Sequence, residues 1–577
     1  MESARTFLFI LFAFLTFLLY QEWQEAHKPA PVEKASIESS LDSYLPEQQS
    51  SQVTNSSTEL DNDISSQVPQ QKSTQASTSQ IVSSSPIEIS TDTLKVLISP
   101  AAGNFVSAEL LNYKESLAED SLPINILENR NGRVFLALSG LFGEGAPDFN
   151  KNVAIYQSER TQYQMQEGKD SLEVDLTWVN QNGVEYIKRF TFYRGEYRVD
   201  VKYIVTNRSE VKIANRMFTA LKRDLGEVIG QESSGIGMQS YVGPAYSAPT
   251  KEEKYEKYEF DDLSETDLKI QTKNGWVAIL QHYFVTAWVP VSETTHSIDT
   301  TTKNLGKAGL AQIRITQDWQ WIEPGQTESF TAKLYIGPKI QDVLEKVAPG
   351  LELTLDYGFL WWIGKPISYL LMFFQGLVIN WGLAIILVTF AIKTLLYPLA
   401  KAQYRSFAKM RLLQPQMTAM KERYGDDKQQ MSMKMMELYK KEKVNPLGGC
   451  LPLLVQMPVF IALYWVLMEM VELRHAPFML WIDDLSVLDP YYVLPLLMGA
   501  SMYLQQKMQP MSPTMDPMQA KMMQMMPVLM TVFFVFFPAG LVLYWVFNSL
   551  ISIAQQLYIT NQFNKEVEAK ANAKKKK

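Results

Sequence analysis

The sequence predicts a polytopic α-helical membrane protein of six spans, with a five-helix core around a hydrophilic groove, joined to a large extracytoplasmic antiparallel β-sandwich. Three observations carry this reading. Beyond about residue 350 the chain holds several long apolar runs, whereas residues 28–350 hold none long enough to cross a bilayer. Residues 91–345 instead alternate apolar and polar positions in short strand-like segments. Charge is divided unevenly between the loops that join the apolar runs, as expected when loops are sorted to opposite sides of a membrane.

Residues 1–27, "MESARTFLFILFAFLTFLLYQEWQEAH", place Arg5 before an apolar run and Trp23 after it. No small-x-small cleavage site follows, so an uncleaved signal anchor is expected, with a cleaved signal peptide as the alternative. Residues 28–90 are dominated by Ser, Gln and Thr and offer little apolar surface to offset the entropy of ordering. A flexible tether is expected there. The single cysteine, Cys450, excludes an intramolecular disulfide and a zinc site built on several thiolates. A large exported domain without a disulfide suits a bacterial envelope.

Within 91–345, "SLEVDLTWV", "EYIKRFTFY" and "YRVDVKYIV" are rich in Val, Tyr, Phe and Thr and are separated by "NQNG" and "RG" turns. Consecutive strands of this kind predict an antiparallel sandwich. No catalytic constellation is visible in it. His282 and His296 lie outside any metal-ligand spacing and read as structural or surface histidines. Residues 355–373 combine paired tryptophans with Lys365 and Pro366, which predicts a helix lying in the membrane interface.

The remaining spans are expected at 376–399, 447–470, 489–506, 524–538 and 540–558, the last four within a block from 447 to 560. The final two are joined only by "FPAG", which predicts a tight helical hairpin. Basic residues outnumber acidic ones in the 400–446 loop, and residues 561–577 end in "KANAKKKK". Both belong in the cytoplasm by the positive-inside rule, and the acidic 472–489 loop belongs outside. An N-in anchor then lets all six spans alternate, with the β domain extracytoplasmic.

Lys393 stands inside the second span, where an ammonium costs at least ~2.5–3.5 kcal/mol at the bilayer centre. Thr389, Lys393 and Tyr397 follow at i, i+4 and i+8 and share one helix face. Tyr544, Asn548 and Ser552 do the same in the last span, with Gln555 and Gln556 nearby, and the third span carries Gln456. If these faces converge they line a hydrated cavity, the usual setting for an intramembrane charge. Snorkelling of the lysine stem toward the cytoplasm is the plainer alternative. No carboxylate faces Lys393 from within a span, so an ion pair or proton relay is poorly supported.

The 400–446 loop reads as two amphipathic helices around "YGDDK", basic and rich in methionine, including Met417, Met420, Met435 and Met436. The next cytoplasmic loop adds Met511 and Met515. Methionine adapts to many apolar partners, so the two loops together suggest a substrate-handling surface, against packing as the plainer reading. The chain lacks the GxxxxGK[ST], HExxH and GxSxG patterns, so nucleotide-driven transport, metalloproteolysis and serine hydrolysis lose their usual signatures. No cofactor or metal is expected.

Several stretches together closely resemble the YidC membrane-protein insertases, the bacterial branch of a family that includes the mitochondrial oxidase-assembly and chloroplast Albino insertases. They are "NWGLAIILVTFAIKTLLYPLAKAQYRSFAKM", "YGDDKQQ", "KEKVNPLGGCLPLLVQMPVFIALYWVL", "FMLWIDDLSVLDPYYVLPLLMG" and "FPAGLVLYWVFNSL". The resemblance implies a groove open to cytoplasm and lipid but closed toward the periplasm. It implies a cation in the first core helix, usually arginine, whose place Lys393 takes. That exchange keeps the charge but loses the planar fork of donors. Contacts with the incoming helix fall on Thr389 and the Tyr544–Trp545 pair. The resemblance further implies a β-supersandwich, an inner-membrane location, nascent membrane proteins as clients, and the Sec translocon and lipid bilayer as partners. Ribosome binding falls on the tail lysines Lys574, Lys575, Lys576 and Lys577. It implies a functional monomer, no DNA binding and no enzymatic activity. A secondary transporter remains the alternative and would require repeated halves with broken helices, which are not visible.

Overall fold

The computed structural model describes residues 85–577 apart from 131–132, 149–152, 226–239, 261–266, 293, 304–308, 425–426, 443, 445–450, 510–516 and 576–577. The expected anchor, 1–27, and most of the expected tether therefore lie outside the described residues.

The β domain begins earlier than expected. Strand Ile87–Ser90 already pairs with Leu94–Ile98, because Ile87 and Ile89 alternate with polar neighbours and are buried. Two sheets, of eleven and nine strands among the described residues, pack face to face. The three segments quoted above form consecutive antiparallel strands, Ser171–Val179, Val184–Tyr193 and Arg198–Asn207, in register Leu172↔Phe192 and Val199↔Phe192. Val184–Tyr193 buries every second residue, as a strand with one face on the core must. Its turn works as the composition suggests. Asn180 Oδ1 accepts from the Asn182 and Val184 amides at 3.0 and 2.9 Å, and Gly183 takes φ +84°. One pairing departs from the antiparallel expectation: Glu88–Ser90 runs parallel to Gln162–Gln164.

Large side chains from both sheets fill the core, among them Phe105, Phe190, Tyr203, Trp276 and Trp288. The domain ends later than residue 345. Helix α1, Gln341–Val347, and the following turn insert Leu344, Val347 and Leu351 into the same core.

The helical part follows. Helix α2, Trp361–Val378, buries Gly364, Ile367, Ser368 and Leu371 at three- and four-residue spacing, while Trp361, Trp362, Phe373 and Leu377 stay exposed. It starts later and ends later than the expected 355–373. Asn380 caps α3, Trp381–Leu395, by accepting from the Leu383 amide at 3.0 Å. Expected at 376–399, this span is shorter. Pro398, which lacks an N–H to extend α3, falls in the first turn of α4, Tyr397–Tyr424, and the chain bends by 68° between the two helices. Asp427 caps α5, Lys428–Lys441, and the pair α4 and α5 forms a hairpin with its own small core of Leu413, Met417, Met435, Leu438 and Val444.

Helices α6, Leu451–Glu469, α7, Val493–Lys507, α8, Pro517–Phe534, and α9, Ala539–Lys575, complete the bundle. α7 starts after 489 because Asp489 acts as a loop anchor, accepting from Trp481 Nε1 and from the Tyr491 and Leu494 amides. α8 stops at Phe534, short of 538, and Pro538 instead bridges to Leu488. α9 continues past 558 as one helix into the basic tail. By length and composition one described helix can cross a membrane unaided, Ala539–Lys570, or two if the bent α3–α4 pair is one span. Val455–Glu469 and Lys521–Phe534 are shorter apolar helices.

A candidate polar site among the membrane helices

Lys393 sits in the last turn of α3 and is 9% exposed. Its Nζ donates to Ser552 Oγ of α9 at 2.8 Å and to Gln456 Oε1 of α6 at 3.3 Å. Gln456 in turn donates through Nε2 to Asn548 Oδ1 at 2.7 Å, and Ser552 Oγ donates to the Asn548 carbonyl at 2.7 Å. Gln555 Nε2 reaches the Lys393 carbonyl at 3.4 Å. Polar residues that the sequence distributes over three spans therefore meet at one point. The i, i+4 spacing of Asn548 and Ser552 makes this possible, since it stacks both on the face of α9 turned to α3 and α6.

Every partner of the ammonium is neutral. Among the described residues no carboxylate is paired with Lys393. An ammonium has three donors and these bonds use two of them. A buried cation held only by dipoles keeps its full charge available to a mobile anion or to water.

Other expected residues take different places. Thr389 is on the same α3 face but fully buried, its hydroxyl returned to the Ile385 carbonyl at 2.7 Å. Tyr544 is buried against Phe460, with ring centroids 6.2 Å apart, and within hydrogen-bond reach of Gln456. Trp545 packs edge-on to Phe460 and Phe534 at 4.8 and 5.4 Å, and its indole N–H has no partner among the described residues. Tyr397 does not share the Thr389–Lys393 face. It is the first residue of α4, beyond the bend, so helical spacing from Lys393 no longer applies to it.

The methionines divide. Met417 and Met435 are buried in the hairpin's own core and Met420 packs against it, because two amphipathic helices must bury their apolar faces on each other. Met436 is exposed. Met511 and Met515 lie outside the described residues, as do Lys576 and Lys577, while Lys574 and Lys575 close α9.

Two further residues carry no local signal in the sequence. Tyr404 of α4 is buried with its hydroxyl against Ser552, brought there only by the bend after α3. Met508, the C-cap of α7, offers one carbonyl to both Arg411 of α4 and Gln556 of α9, tying the three helices together. Of the two histidines, His282 donates through Nε2 to the Met468 carbonyl at 2.8 Å, where the β domain meets α6, and burial holds its imidazole below the usual range. His296 is fully buried, with Nε2 3.2 Å from the Ser292 carbonyl.

Comparisons with known proteins agree with this architecture. The family profile described as "60Kd inner membrane protein" matches residues 373–566, and that described as "YidC periplasmic domain" matches residues 86–370. The membrane protein insertase YidC of Shewanella woodyi is 48% identical over 560 residues, 97% of this chain and 98% of that protein. That of Shewanella halifaxensis is 48% identical over 562 residues, with the same coverage. A solved structure described as "Active YidC insertase crystal structure with the first transmembrane domain resolved" aligns over 82% of this chain and 92% of that one, at 18% identity and a TM-score of 0.36. With near-half identity over nearly its whole length, and matches to both the β domain and the helical core, the chain belongs to the YidC family of membrane protein insertases.

Proposed function

We propose that this protein inserts nascent transmembrane segments laterally into the bacterial inner membrane and assists their folding, using the polar site around Lys393 as the entry point for the client's polar flank. The observation that carries this is the meeting of Lys393, Gln456, Asn548 and Ser552 from three apolar helices with no counter-ion for the lysine among the described residues. The work is physical and calls for no enzyme chemistry. An acidic or hydrated flank exchanges bulk water for this polar cluster, while the apolar segment moves along the helices into lipid. Burial of apolar surface supplies roughly 25 cal/mol per Å². The membrane potential adds ~2.3 kcal/mol per charge per 100 mV for an acidic flank moving outward.

In this reading six spans put both termini in the cytoplasm and residues of about 28–350 in the periplasm. The α4–α5 hairpin and the loop after α7 receive the client. The lysine tail favours the ribosome, and the protein works as a monomer, alone or beside the Sec translocon.

Photocrosslinking tests it. Probes at Gln456 and Trp545, with the exposed Phe390 as control, are presented with a ribosome-stalled single-span nascent chain in a depletion strain. Crosslinks at the first two positions and not at Phe390 are expected. Equal crosslinking at all three would remove the polar site from the client path.

A further inference from the structure

A second site lies where the β domain rests on the helices. A cavity of about 210 Å³ is lined by three arginines, Arg133 and Arg223 from the β domain and Arg474 from the loop after α6. Arg223 is 4% exposed, with its guanidinium carbon 5.8 Å from the Phe135 ring centroid and 5.9 Å from that of Phe260. Its Nη1 is shielded from solvent and has no hydrogen-bond partner among the described residues. A buried guanidinium nitrogen left without an acceptor is costly, and burial lowers the pKa of this arginine accordingly.

The acids around the cavity are Glu115, Glu128 and Asp224. Asp224 Oδ2 accepts from the Val134 amide at 2.8 Å, and Glu128 lies 3.9 Å from Arg133, with burial raising its pKa. Glu115 meets Arg474 through its backbone carbonyl, at 3.0 Å. Asp224 and Glu128 attract the Arg223 guanidinium electrostatically.

The position of the cavity narrows the ligand. His282 on its wall is bonded to Met468 in the last turn of α6, so the cavity lies level with the extracytoplasmic end of a membrane helix. That is headgroup depth. The hairpin that begins at Glu115 carries Leu117 and Leu122, which are 52% and 69% exposed. Exposed leucines beside a cavity that holds a buried guanidinium with an unused donor suit a ligand with apolar chains and an anionic head.

We propose that this cavity holds the phosphate of a membrane phospholipid headgroup, with Arg223 and Arg474 as its donors. The site rests on the membrane topology proposed above and not on the role of Lys393. The shared chemistry is a phosphate, and free inorganic phosphate is the competing source.

The test uses the full-length protein, delipidated in maltoside detergent and followed by titration calorimetry. The probes are dihexanoyl phosphatidylglycerol, dihexanoyl phosphatidylcholine and inorganic phosphate. Saturable binding of the phosphatidylglycerol is expected, at least tenfold weaker in R223Q and at least threefold weaker in R474Q, with phosphatidylcholine weaker than phosphatidylglycerol. R223K keeps the charge and bulk and is expected to bind within threefold of the parent, which separates loss of the donor from loss of the fold. Unchanged affinity in both R223Q and R474Q, or no saturable binding by the parent, overturns the site. Inorganic phosphate binding as tightly as the lipid overturns the headgroup assignment.

Discussion

Lys339, just after the last β strand, and Glu469, at the end of α6, form an ion pair of 3.2 Å whose side chains are 1% and 2% exposed. Together with the His282–Met468 bond it fastens the β domain to the helical bundle. Removing one partner leaves an uncompensated buried charge, which costs ~3–5 kcal/mol. K339M should therefore lower the unfolding temperature of the full-length protein in detergent, and K339M/E469M should recover at least half of the loss. An unchanged temperature in K339M would show that the pair contributes nothing to the junction.

At the membrane site, charge and shape separate. Ser552 and Gln456 accept from Lys393 as single bonds, which arginine can also make, so K393R should insert a single-span client at close to the parental level. K393A removes the charge and should reduce the inserted fraction at least fivefold, read by protease protection. Full insertion by K393A would mean the lysine is a bystander.

Placing a carboxylate beside the ammonium tests the same idea from the other side. Gln456 Oε1 is 3.3 Å from Lys393 Nζ, so Q456E installs a counter-ion without changing the side chain's size. Clients with acidic flanks should lose insertion several-fold while those with neutral flanks lose little. Equal losses for both would argue against attraction by a free charge.

Helix packing supplies a steric prediction. A Cβ on Gly499 of α7 would lie 1.9 Å from Thr531 Oγ1 of α8. G499A should cost ~1–3 kcal/mol as an overpacked contact, seen as a lower unfolding temperature. T531A removes the clashing hydroxyl and should rescue G499A, leaving the nearest remaining contact at 3.1 Å. Failure of rescue would assign the cost elsewhere.

In the β sandwich, Asp148 and Lys188 are buried and interact electrostatically. Burial pushes the Asp148 carboxyl up to about 6 and draws the Lys188 ammonium down to about 7. Lys188 Nζ donates to the Ala102 and Ser139 carbonyls at 2.9 and 3.0 Å. Between the unfolded carboxylate value of about 3.9 and about 6, the native state holds a proton that the unfolded chain has released, so this group's stability contribution falls as pH rises. Between about 7 and the unfolded lysine value of about 10.4, the unfolded chain holds the extra proton, so stability rises with pH. The pair therefore produces a shallow stability minimum near pH 6–7. D148N/K188M should be less stable overall but flatter between pH 5 and 8 in thermal melts followed by near-UV circular dichroism. An identical pH profile in the double variant would remove the pair as its source.

Local periodicity determined much of this protein. Alternation along Val184–Tyr193, the Asn180 turn and the apolar runs after residue 350 are short-range patterns, and short-range sterics and burial enforce them. The polar faces of α3 and α9 were legible for the same reason, since i, i+4 spacing fixes which residues share a helix face. The family resemblance added the expectation of a groove and of a role in it for Lys393. Tertiary structure decided what those faces meet. The i, i+8 extension to Tyr397 failed because Pro398 sets the start of a new helix. Tyr404 enters the site only because that helix turns away by 68°. The Lys339–Glu469 and Arg223–Arg474 relationships join residues far apart in the chain, where no local period carries information. Packing alone selects such contacts, and for Lys339 and Glu469 each buried charge is compensated by a partner from the other part of the fold.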